Sequence, residues 1–161
     1  MVEPVIPKTS YDIMRALKDY FISNPNMKGY TIILGDAMHI KGPAIGILWS
    51  GDQNINVYTP SSEVNLFVEA WVYSKDPDPE KPYTMLEPMQ SAIHSALLEC
   101  SISNAIGKAL GLNLSMNISS EDSDANVFAP FYASRLTVSM KWNKLGRIRP
   151  SVVLSLSYNP L

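Results

Sequence analysis

The chain has 161 residues, 46% of them hydrophobic and 17% charged, with a net charge of −2. Those figures fit one domain with a packed core, leave no room for two ordinary domains, and exclude an overall field that would draw the protein to nucleic-acid phosphate or an anionic membrane. Cys100 is the only cysteine, which rules out an internal disulfide or a multi-cysteine zinc site and fits a reducing compartment.

From the N-terminus, Met1 to Lys8 has no basic start followed by a long apolar run. Nothing downstream approaches the roughly 20 apolar residues of a membrane span, so a soluble, unprocessed chain without a membrane partner is expected. The first organised element is an amphipathic helix over Ser10–Ser23, where Ile13, Leu17, Tyr20 and Phe21 recur at helical spacing and Arg15, Lys18 and Asp19 fall mostly elsewhere. Thr9 or Ser10 can cap it, Asp12 is placed for a capping box, and Asn24-Pro25-Asn26 ends it. Two strands follow, Tyr30–Leu34 and Ala44–Ser50, with Ile45, Ile47 and Trp49 alternating in the second; Gly35-Asp36 and Gly51-Asp52 read as turns.

The longest strand signal is Val64–Ser74. Val64, Leu66, Val68, Ala70 and Val72 share one face, while Asn65, Phe67, Glu69, Trp71 and Tyr73 share the other. The second face mixes aromatic with polar groups, so it is either covered by a helix edge or offered to a partner. Lys75 to Pro82, with alternate prolines, is an exposed, stiff loop. A second helix is expected over Tyr83–Leu98, marked by Leu86, Met89, Ile93 and Leu97, with Pro88 tolerated in a first turn. A shorter helix over Ser103–Leu110 is closed by Gly111.

Leu112, Leu114, Met116 and Ile118 alternate with polar residues, as do Leu136, Val138, Met140 and Trp142. These predict two half-buried strands paired antiparallel, with the acidic stretch Glu121 to Asp124 in the connecting loop. A last apolar run, Ser151–Ser157, either closes the sheet or adds to the edge of a neighbouring molecule. The element order points to an α+β fold, a mostly antiparallel β-sheet with two or three helices packed on one face. Residues 1–142 form the domain and 143–161 an extension.

No residue constellation carries catalysis. Asp76, Asp78 and Glu80 are spaced like the start of a calcium loop, but the turn glycine and closing glutamate are missing. Glu121, Asp122 and Asp124 read as a hairpin tip. His39 and His94 are far apart and neither has a second ligand at metal spacing, and Cys100 reads as a buried, inert thiol more than as a nucleophile. Gly42-Pro43-Ala44-Ile45-Gly46 lacks the Gly-Lys-Ser/Thr ending of a phosphate loop and runs into a strand. Lys141, Lys144, Arg147 and Arg149 make a basic stretch for phosphates or an acidic protein surface. Without a stacking platform, it reads as a solvated or interface charge run. No metal, cofactor or enzymatic activity is expected.

With these elements placed, the chain resembles phage tail terminator proteins. The likeness runs from about Tyr11 to Trp142, through an N-terminal helix, strands, a long strand ending in an Asp/Pro-rich turn, a helix and a closing β-hairpin. Its centre is Asn65 to Asp76, followed by Tyr83 to Leu86 and the helix through Ile93 and Leu97, and the strand Leu136 to Trp142 completes it. The resemblance implies a structural virion protein of the tail or neck, assembled in the host cytoplasm: a homohexameric ring that caps the tail tube, stops its polymerisation and docks the neck. The implied partners are further copies, the tube protein, and sheath and neck or head-completion proteins, with DNA passing through the pore without sequence-specific binding. Phe67, Trp71 and Tyr73 are then the candidate subunit or tube contacts, with an intramolecular, helix-covered face as the alternative. Lys141, Lys144, Arg147 and Arg149 are candidates to meet a sheath or neck partner. Another head–tail connector, a neck or baseplate component, or a small-ligand-binding domain are the competing readings.

Overall fold

The structure, a computed structural model, describes residues 9–53 and 61–143, excluding the side chains of residues 52, 53, 61, 121–128 and 143. The first helix, α1 (Ser10–Ser23), begins where a capping box predicts. Thr9 Oγ1 accepts the Asp12 backbone N–H at 3.3 Å, and Asp12 Oδ2 accepts the Thr9 N–H at 2.9 Å, so two of the four free donors at the helix start are satisfied. Ile13, Leu17 and Phe21 are fully buried along one stripe. Asn24 ends the helix and its side chain accepts from Asn26 N, opening a single 3-10 turn at Pro25–Met27.

Among the described residues five strands form one sheet: β1 (Thr31–Leu34), β2 (Ala44–Gln53), β3 (Ser61–Tyr73), and, after the helices, β4 (Leu114–Phe128) and β5 (Phe131–Asn143). Their spatial order is β1-β2-β3-β5-β4, and every pairing is antiparallel except β1 with β2. The second helix, α2 (Lys81–Ser103), and the short α3 (Ala105–Leu110) join α1 on one side of the sheet. There α1 sits over β1 and β2, and α2 over β3, β5 and β4. The fold is therefore α+β, with the helices on one face. Its core joins Ile13, Leu17 and Phe21 to Val64, Leu66, Val68 and Val72 of β3 and to Leu86, Ile93 and Leu97 of α2.

Four expectations are corrected. Helix α2 starts earlier and ends later than its apolar spacing suggested, so Pro88 lies inside it rather than in its first turn. Pro88 and Thr84 are both exposed, so water can reach the carbonyl that loses its helical partner. Left-handed Asn104 (φ 51°) then separates α2 from α3. Gly51 is not a turn residue but sits in β2 at φ 145°, beside a register shift between Trp49 and Gly51. The acidic stretch is not a hairpin tip either: Glu121, Asp122 and Asp124 lie in β4, across from Leu136, Arg135 and Ala133, and the turn falls at Ala129-Pro130. Asp and Ser have poor strand propensity, but pairing against the strongly patterned β5 overrides it.

The fourth correction concerns the cover on the aromatic side of β3, which is no helix. Parallel strands are usually joined by about a dozen residues or more, yet β1 and β2 are joined by the nine of 35–43. The four-residue β1 leaves little distance to retrace. This crossover lies on the sheet face opposite the helices, where Ala37, Met38 and Ile40 pack with Ala44 and Trp71. Gly35, at φ 112°, opens it and donates to Ile47 O at 2.8 Å; Asp36 Oδ1 accepts from Met38 N.

Beneath the crossover is Gly46, where a Cβ would stand 2.5 Å from Gly35 O and 3.2 Å from Ala37 N. Both neighbours are backbone and cannot swing aside. Gly46→Val is expected to destabilise the fold by about 1–3 kcal/mol, measured by urea unfolding. Gly42→Ala, with nothing within 4 Å of its Cβ position, should stay within about 0.5 kcal/mol. Equal effects at the two glycines would show that the crossover does not rest on Gly46.

Candidate interaction surface

The sheet register assembles the face opposite the helices. On β3 it presents Asn65, Phe67, Glu69, Trp71 and Tyr73; across from them on β5 stand Ser139, Thr137, Arg135, Ala133 and Phe131. Lys141 continues the β5 row and is exposed. Four predicted contact residues, Phe67, Trp71, Tyr73 and Lys141, thus share one face. Lys144, Arg147 and Arg149, and the run Ser151–Ser157, lie outside the described residues.

Glu69 organises the centre of this face although it is only 4% exposed. A buried carboxylate needs partners for its lone pairs and its charge. One oxygen accepts the Trp71 indole N–H at 3.2 Å, and the other accepts from Arg135 through Nε at 2.7 Å and through Nη2. The Arg135 side chain is 44% exposed, so the pair is desolvated from one side only. Its guanidinium carbon sits 4.1 Å from the Phe67 ring centroid, a cation–π stack that leaves Phe67 half-buried under a charged cover. Nearer Lys141, Ser139 Oγ donates to Asn65 Oδ1 at 2.6 Å.

At the opposite end the face closes. Trp71 is 6% exposed beneath the crossover, so its ring offers almost no area to a partner and instead holds the β1–β2 connection down. Tyr73 stays half-buried, 5.2 Å from Phe131 between centroids, with the Lys41 and Lys75 ammonium groups 5.7 and 5.9 Å from its ring. The surface therefore runs from a cationic, aromatic patch around Tyr73, past the Arg135–Phe67 stack, to polar Ser139 and exposed Lys141. Arg135 and Phe131 were missed from sequence. Their only local signal was alternation in a strand with one polar face, which gives no hint of partners more than fifty residues away.

The remaining chemistry-bearing groups are dispersed. His39 and His94 are exposed. The proline-rich loop uses its acids internally: Asp76 Oδ1 accepts from Asp78 N at 2.9 Å, and Asp78 Oδ1 from Glu80 N at 3.0 Å. Among the described residues no three His, Cys, Asp or Glu side chains cluster as a metal ion would require, and no helix is long and apolar enough to cross a membrane. An open groove of about 420 Å³ between α1 and α3 is lined by Ala16, Tyr20, Ile106 and Leu110, with Asp12, Arg15 and Asp19 supplying charge. Neither protein-family models nor curated proteins include a match to this chain.

Cys100 is 1% exposed, and burial pushes its thiol up to about 11, offset in part by a hydrogen bond with the Ile106 backbone. Burial, with Cys100 and Glu99 nearby, also raises Tyr20. Both groups bind their protons more tightly folded than unfolded. The Cys100 contribution to stability is thus complete below about pH 9, the ordinary thiol value, and is lost as pH rises toward 11, while that of Tyr20 is lost only above its ordinary value of 10. The melting temperature should fall across that window. At pH 8 the native thiol should react with a disulfide reagent at least roughly a hundredfold more slowly than the urea-unfolded chain, from its lower thiolate fraction alone. Equal rates would place Cys100 outside the core.

Proposed function

We infer that the protein is an assembly component, a tail terminator whose copies close into a ring on the end of a tail tube, end its growth and offer the neck a docking surface. The observation that carries this reading is the one-sided sheet: helices seal one face, while the other presents the Arg135–Phe67 stack, the Tyr73 patch and Lys141 along one line. Arginine and aromatic side chains are the residue types enriched at the energetic centres of protein interfaces. The element order supports the same reading, since it runs helix, strands, a long strand ending at an Asp/Pro turn, helix and closing hairpin.

A ring of this kind needs a heterologous contact whose rotation closes, so the surface on one copy meets a different surface on the next. Lys141, with Lys41 and Lys75 beside Tyr73, supplies cationic groups for an acidic tube, sheath or neck surface. In the assembled virion the pore passes DNA, which asks only that its wall make no sequence-specific contact.

The test is negative-stain imaging of tail tubes with and without the purified protein. A disc at one tube end, with tubes no longer growing once it is added, is the expected result. Tubes that remain bare at saturating protein would overturn the assignment.

A further inference from the structure

We propose that the outward stripe of α2 in one copy lies along the open sheet face of the next, over β3 and β5, which rests on the self-assembly reading above and names the second surface that a heterologous contact needs. The inner stripe of α2, with Leu86, Met89, Ile93 and Leu97, is taken up by the core. On the opposite side of the helix Glu87, Ser91, Leu98 and Ile102 form a second stripe, and all four are exposed. Leu98 is 54% and Ile102 79% exposed, and four residues apart they stand one above the other. Exposed apolar side chains scattered singly need no explanation, but adjacent ones rimmed by polar groups mark a contact surface. Glu87 lies beyond the first turn of α2, so the helix dipole does not account for an acid there.

The register of the fold points to a second copy as the occupant. Strand β3 ends at Tyr73 and α2 begins at Lys81, so the helix starts at the Tyr73 end of the sheet. It runs back toward β4, whose first residue, Leu114, is level with Trp142 at the far end. A copy stacked on the next without inversion therefore sets Glu87 over the Tyr73 end of its neighbour's open face, and Leu98 with Ile102 over the Phe67 end. The lengths agree: from Glu87 to midway between Leu98 and Ile102 the helix rises about 20 Å, and from Tyr73 to Phe67 the strand also covers about 20 Å.

The chemistry agrees as well. At the first end Lys41 and Lys75, both exposed, flank Tyr73, ready for the Glu87 carboxylate. At the second, Leu48, Phe67 and Thr137 stand side by side on three neighbouring strands, each half-buried, and receive the apolar pair. The crossover, packed over Ala44 and Trp71, bounds this strip on its β2 side. Helices and open face are opposite sides of one fold, so every copy offers both halves and the same contact repeats from copy to copy.

The experiment uses full-length chains in native mass spectrometry. Leu98→Asp with Ile102→Asp blocks the helix side, and self-association should weaken roughly a hundredfold, with the melting temperature within about 3 °C of the unaltered chain. Lys75→Glu with Thr137→Glu blocks the sheet side and should weaken association at least about tenfold. Mixed, the two variants should form a dimer and nothing larger, because one intact pair of surfaces remains between them. Glu87→Cys in one chain and Lys75→Cys in another should be joined by a short bis-maleimide; native Cys100 is buried and stays in place. Mixing that yields no dimer, a chain that stays monomeric both alone and with tubes, or a Glu87→Cys cross-link to the tube protein in place of a second copy overturns the contact. A helix-side variant that still forms the disc on tubes also overturns it, and leaves the tail-terminator reading intact. Complementation in a protein that never caps tubes supports the contact and removes that reading.

Discussion

Trp71→Ala is expected to be among the most damaging single substitutions in the chain, lowering stability by about 3–5 kcal/mol. The indole is 6% exposed and packs against Ala37 and Ala44, so its removal empties the space beneath the nine-residue crossover. It also strips from Glu69 the N–H donated to one carboxylate oxygen. Collapse of the crossover into the gap would return part of the energy, but Gly35 is already in contact range of Gly46, which limits how far it can sink. For a domain of this size, the melting temperature should drop by about 6–20 °C. Trp71→Phe separates the two losses, since it keeps most of the apolar area and deletes only the donor; about 1 kcal/mol is expected. Hydrogen exchange provides a local readout: the Ile40 amide, bonded to Ala37 O at 3.1 Å, should lose protection in Trp71→Ala. A destabilisation below about 1 kcal/mol would mean that the crossover does not depend on the ring.

Leu17→Ala is expected to cost about 2–5 kcal/mol. Leu17 is fully buried at the middle of the α1 stripe, between Ile13 and Phe21, in the core shared with β3 and α2. Urea unfolding should show a lower midpoint with an unchanged slope, because the surface exposed on unfolding barely changes. Ile22→Ala is the control: Ile22 is 59% exposed on the opposite side of the same helix, so its effect should stay within about 0.5 kcal/mol. Comparable losses at both positions would contradict the assigned face.

The arms of these two tests differ in how far the sequence foretold them. Helix α1 was legible to its ends because everything that defines it is local: the apolar spacing, the Thr9–Asp12 capping box and the Asn24-Pro25 stop all lie within one or two turns. The two faces of β3 were equally legible, since strict alternation assigns each residue to a side. All five residues of its apolar face, Val64 to Val72, are at most 1% exposed. Pattern failed where pairing outweighs propensity. The second half of β4 is rich in Asp and Ser and reads locally as loop, yet it lies in register with β5.

The candidate interaction surface was half visible. Phe67, Trp71 and Tyr73 were placed on one face by alternation, but their separate fates depend on residues distant in the chain. Arg135, 66 residues from Glu69, caps Phe67 and neutralises the buried carboxylate, while the crossover takes Trp71 out of reach of any partner. By itself, then, the sequence determined the α+β class, the helix α1 with its cap, the core stripe and the sidedness of the long strand, because periodicity and capping act over a few residues. Only the tertiary structure decided that β1 and β2 run parallel, that their connection rather than a helix covers Trp71, and that Arg135 completes the open face. Such choices depend on contacts between segments tens of residues apart, and local spacing does not encode which segment will supply them.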